Sequence, residues 1–92
     1  MNEHTVRLLK AIEGSKGKMV LFKDRLARMK EQGVSEKKAA EDLASFIRRG
    51  YEMKLDNLFG MDPFLMGALR DAVEAADYQA AAERLASEVW DG

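Results

Sequence analysis

Apolar residues return at intervals of three and four along nearly the whole chain, and this spacing confines it to helices. Val6, Leu9 and Ile12 form the first stripe, with Leu8 beside them. Met19, Phe22, Leu26 and Met29 form the second, and Ala40, Leu43, Ala44 and Ile47 the third, which Tyr51, Leu55 and Leu58 continue. Leu65, Leu69, Ala72 and Ala76, and then Ala82, Leu85 and Val89, complete the pattern. A half-buried strand needs strict alternation, and only Val20-Leu21-Phe22 hints at one, inside a stronger helical stripe. The expected fold is all-α: a compact bundle of five to six short helices without a sheet, formed by residues 1–92 as one domain.

Local chemistry marks the expected helix ends. A first helix over 3–13 meets GSKG at 14–17, where glycine tolerates a left-handed conformation. A second over 18–32 stops at Gly33. Ser35 then caps a third, because its hydroxyl can accept from an orphan N–H of the first turn. Gly50 either ends that helix or lies within it; the spacing of Ile47, Tyr51, Leu55 and Leu58 favours one long or kinked helix to about residue 59. Asp62-Pro63 is the clearest start signal, since aspartate caps well and proline in the first turn loses no needed N–H. A helix over 63–75 follows, and Asp77 is expected to cap the last, over 78–90.

Charge divides the chain. Residues 1–54 hold thirteen Lys/Arg against eight Asp/Glu, a net +5, and residues 55–92 hold two against eight, a net −6. The favoured expectation is that the halves attract each other within one fold; the sharper one is that the basic half meets an acidic partner. With no cysteine, disulfides, thiolate nucleophiles and sulfur-ligated metals are absent. MNEHTVRLLK lacks the apolar core of a secretory signal, and no apolar run approaches a membrane span, so a cytoplasmic location away from membranes is expected.

Catalytic chemistry finds little support. EGSKGKM fails as a phosphate loop, with Ile12 where the first glycine belongs and Met19 in place of Ser/Thr. His4, the one histidine, has only Glu3 beside it and reads as a frayed surface residue without ligand or base partners. The carboxylates are spread over helix faces, and no Glu-x-x-His pair suggests a di-metal site. No enzyme activity, cofactor or metal is expected.

RLARMKEQGVSEKKAAEDL resembles a helix-turn-helix, with Lys37 and Lys38 near the start of the second helix, where a recognition helix meets the major groove. It departs from that pattern at bulky Met29 and in placing Glu36, Glu41 and Asp42 near phosphates; the pI of 5.8 is far from a basic footprint. A nucleic-acid-binding regulator using residues 16–49 is therefore the second reading.

The first reading is a small protein-binding module: an adaptor, regulator or inhibitor, resembling in size and style the accessory proteins of bacteria and their phages. Two sets of residues point to it. Lys18, Leu21, Arg25 and Arg28 share one side of the second helix, away from its apolar seam, where Leu21 has no core role. Cations around an apolar residue suit an acidic protein surface. The second set lies in NLFGMDPFLMG. Leu58, Phe59, Phe64 and Leu65 continue core stripes and are expected to be mostly buried, whereas Met61 and Met66 fit neither stripe. A small bundle has little room for all of them, so a patch drawn from Phe59, Met61, Phe64 and Met66 is expected at the surface, for self-association into a homo-oligomer or for a partner.

Overall fold

The computed structural model describes residues 1–91 as five helices, with no strand among the described residues: α1 Glu3–Glu13, α2 Lys16–Glu31, α3 Glu36–Asp56, α4 Pro63–Ala75 and α5 Tyr78–Asp91. The helical fold expected from the apolar spacing is thus what the chain adopts.

Each start carries a side-chain cap. Ser35 Oγ accepts from Lys38 N at 3.2 Å, Asp62 Oδ1 from Phe64 N at 2.8 Å, and Asp77 Oδ1 from Ala80 N at 2.9 Å. Ser15 Oγ does the same for Lys18 N, which starts α2 two residues before the expected 18 and puts Gly17 inside the helix. The break before α2 needs no left-handed residue: Gly14 has φ −78°, and its N–H closes on Lys10 O. Gly33 does need one, at φ +81°. There Gly33 N–H bonds Lys30 O and Val34 N–H bonds Met29 O, a Schellman closure with Val34 and Met29 as its apolar pair. α3 runs unbroken through Gly50 and ends at Asp56, three residues short of expectation, where Asn57 N–H turns back to the carbonyls of Met53 and Lys54.

The core is built from Leu8, Leu9 and Ile12 of α1, Phe22 and Leu26 of α2, Leu43 and Ile47 of α3, and Leu85 of α5. Alanines join the two central helices. Ala39, Ala40 and Ala44 of α3 meet Ala81, Ala82 and Ala86 of α5, all buried, so these backbones pack more extensively than any other pair. Met19 and Met29 complete the seam of α2 as half-buried flanks.

A polar link closes the bundle at one end. Thr5 is 0 % exposed. Its Oγ1 donates to Asn2 Oδ1 and accepts from Asp77 N, each at 2.8 Å, while Asn2 Nδ2 donates to Ala75 O at 2.8 Å. The first turn of α1 is thereby tied to the joint between α4 and α5.

Two core expectations are corrected. Val6 is 38 % exposed, because Thr5, Leu8, Leu9 and Ile12 turn the buried face of α1 away from it. Leu58, Phe59, Phe64 and Leu65 are also exposed, and α4 contributes no buried residue. α4 packs its backbone against α3 and α1, and its link to α5 is the Tyr78 hydroxyl bond to Val73 O near its end, so its first turn is left largely bare. The molecule measures 45 × 25 × 22 Å with a radius of gyration of 14.1 Å, above the roughly 12 Å usual for a globule of this length.

Candidate protein-binding surfaces

Three surface features stand out, and the first lies between α2 and α3. Phe46, Gly50 and Met53 follow a 4-3 spacing on α3, to one side of its core stripe. With Leu21 and Phe22 of α2 they floor a groove of about 300 Å³. Gly50 keeps it open, since a Cβ built there meets nothing within 4 Å. The rim is cationic: Lys18, Arg49 and Lys54 line it, and no carboxylate does among the described residues. Tyr51 sits between two of these cations. Lys18 Nζ donates to its hydroxyl at 3.1 Å, and Lys54 Nζ lies 5.2 Å from its ring centroid.

The four residues expected to form one binding face are divided by this geometry. Lys18 belongs to the groove, and Leu21 borders both it and the next depression. Arg25 and Arg28 face a neighbouring depression that also holds Asp24 and Asp42. Arg25 Nε pairs with Asp42 at 2.8 Å, and its guanidinium lies 4.2 Å from the Phe46 ring, which itself stands edge-on to Phe22. Arg28 pairs with Asp24 one turn earlier. Exposed pairs of this kind contribute little stability, about 0–1 kcal/mol, but they do occupy the arginines. The rim cations Arg49 and Lys54, in no ion pair among the described residues, were not singled out from the sequence; the Phe46-Gly50-Met53 stripe was the signal that marked their position.

Charge pairing between the halves is sparse. Of six ion pairs among the described residues, only Lys23–Glu88, at 3.0 Å, joins a cation of the basic half to a carboxylate of the acidic half. Four pairs lie within the basic half, and Arg84–Glu13 runs in the opposite sense.

The second feature is the corner between α3 and α4. Phe59 is 88 % and Phe64 82 % exposed, with Leu58, Met61, Leu65 and Leu69 exposed around them. Met66 differs from its expected neighbours and is half-buried.

The third is an apolar recess of about 180 Å³ between α1 and α4, walled by Leu8, Ala11, Ala72, Val73 and Ala76. His4 stands at its edge, half-buried, and its Nδ1 is buried without a hydrogen-bond partner among the described residues. This corrects the reading of His4 as frayed. Tyr78 borders the same recess; burial pushes its phenol above the ordinary value, and its hydroxyl donates to Val73 O at 2.5 Å.

No described helix is long and apolar enough to cross a membrane. No protein-family model, curated protein or solved structure matches the chain.

Proposed function

We propose that this chain is a non-enzymatic protein-binding module, an adaptor, regulator or inhibitor, whose α2–α3 groove takes an acidic amphipathic helix of another protein. One observation carries the reading: the groove has an apolar floor opened by Gly50 and a rim of Lys18, Arg49 and Lys54 with no carboxylate among the described residues. A helix laid between two helices buries its apolar side chains against Leu21, Phe46 and Met53. Carboxylates one turn to either side then meet the rim cations, which speed encounter and set orientation. The absence of cysteine suits a reducing compartment, and the reading is of a cytoplasmic module.

The test is selection of helical peptides from a displayed library on the intact protein, followed by titration of the selected peptides against variants. Enriched peptides should pair apolar residues at three- and four-residue spacing with Asp/Glu. Gly50→Leu should fill the groove without unfolding α3 and weaken them at least about tenfold, an effect of roughly 1.4 kcal/mol. Arg49→Glu with Lys54→Glu should slow their association. Selection of basic peptides, or affinity indifferent to Gly50→Leu, refutes the reading. A parallel titration with duplex DNA decides against it if affinity at physiological salt is sub-micromolar and lost on reversal of Lys37 and Lys38.

A further inference from the structure

We infer that the exposed α3–α4 corner is closed by a second copy of this chain, docked antiparallel along α4 so that each copy's corner covers the other's α1–α4 recess. This surface meets the α2–α3 groove at Tyr51, which lines both, and does not depend on the function assigned there.

The chain carries both halves of such a contact. The protruding half is the corner, led by Phe59 and Phe64 at 88 % and 82 % exposure. The receiving half is the apolar recess of about 180 Å³ between α1 and α4. The recess is shallow and open, so an apolar side chain of a second copy can lie across its floor of Leu8, Ala11, Ala72 and Val73, with His4 and Arg7 at its edge. Both halves lie on or beside α4, at opposite ends of it: Phe64 and Leu65 in the first turn, Ala72, Val73 and Ala76 at the end. The distance from Phe64 to Ala72 is about 12 Å along the helix.

Direction follows from side-chain size. Beyond Leu65, the small residues of α4 that stay exposed are Gly67, Ala68 and Ala75. A parallel pairing sets Phe64 against Phe64 and leaves both recesses empty. An antiparallel pairing lays the bulky first turn on the partner's alanine stripe, Ala68, Ala72 and Ala75 at 4-3 spacing, and brings the corner to the partner's recess. The same patch then serves on both copies, which is the isologous arrangement of a two-fold dimer.

The area is sufficient. Each phenylalanine presents roughly 150–250 Å² when free, so these two alone leave on the order of 300 Å² bare. With Leu58, Met61, Leu65 and Leu69 the patch reaches about 500–600 Å², the upper end for a monomer's largest patch. Two such patches together bury about 1,200 Å², where stable interfaces begin.

Sedimentation equilibrium on the whole chain at about 10–200 µM tests the inference, a range matched to an interface of this small size. The expected result is a reversible dimer of twice the 10.3 kDa chain mass. Phe59→Ser with Phe64→Ser should be monomeric with unchanged helicity, because neither side chain supports the core. Ala11→Phe should fill the recess and also weaken the dimer. Mixing the corner variant with the recess variant should restore partial association, since one intact corner then meets one intact recess. A monomeric wild type overturns the inference. So does a dimer that survives the double serine variant, open-ended growth beyond two copies, or a mixture no more associated than its parts.

Discussion

Thr5→Val removes one oxygen and keeps the shape of a fully buried side chain, so it isolates the polar link between α1 and the α4–α5 joint. The Thr5 hydroxyl donates to Asn2 Oδ1 and accepts from Asp77 N, both at 2.8 Å. Valine leaves Asp77 N–H without its acceptor beside an apolar methyl, which costs about 1–3 kcal/mol, and forfeits the bond to Asn2, worth about 0.5–1.5 kcal/mol net. Asn2 keeps its bond from Thr5 N and retains water on its exposed side, so the smaller end of that second range applies. The expected loss is about 2–3 kcal/mol. For a domain of this size, about 4–8 °C of melting temperature goes with each kcal/mol. Thr5→Ser keeps the hydroxyl and deletes only a methyl, with an expected loss of about 1 kcal/mol. Urea unfolding followed by circular dichroism measures both. A valine variant as stable as wild type, or a serine variant less stable than the valine one, refutes the claim that the hydroxyl holds this end together.

The remaining expectations concern glycines, apolar side chains and pH. Gly50→Ala should stabilise by about 0.5–1 kcal/mol, since its site is helical and open, whereas Gly33→Ala should destabilise by about 1 kcal/mol or more because φ is +81° there; urea midpoints compare the two. Leu43→Ala, at a fully buried position, should cost about 2–5 kcal/mol, against well under 1 kcal/mol for Phe59→Ala when both are unfolded at low protein concentration. Tyr78 favours its neutral form in the fold, so the stability it supplies is complete below the ordinary phenol value near 10 and declines as pH rises through its higher folded value. Tyr78→Phe should therefore flatten part of the alkaline fall in melting temperature, while losing the bond to Val73 O at neutral pH.

Helix ends were legible because their chemistry is local. Ser35, Asp62-Pro63 and Asp77 each cap within three residues of themselves, and Gly33 turns the chain with its own backbone. The third stripe was legible too, since Ala40, Leu43, Ala44 and Ile47 all enter the core. What escaped depends on what lies opposite a face. Periodicity placed Leu58 and Leu65 on continuing stripes, but a stripe is buried only where another element covers it, and the first turn of α4 has no helix packed across it. The groove needed Leu21 of α2 and Phe46, Gly50 and Met53 of α3 brought together across a turn. Leu21 was correctly placed outside the core. The engagement of Arg28 by Asp24 was within reach of the i, i+4 rule, whereas that of Arg25 by Asp42 was not.

The closing link has a consequence for the order in which the chain can acquire structure. Asn2 and Thr5 bond to Ala75 and Asp77, across 73 and 72 residues of sequence, and Lys30 Nζ reaches Val89 O across 59. α3, the longest of the five described helices, finds its main neighbour in α5, the last of the five in chain order. Synthesis adds roughly 5–20 residues per second, so α3 waits about two seconds or more before its principal partner is complete. In that interval the alanine face of α3 lacks its cover, while α1 and α2 can meet only each other and α3. Assembly of this bundle is consequently a late and concerted event, governed by the arrival of α5 rather than by stepwise growth from the first helix.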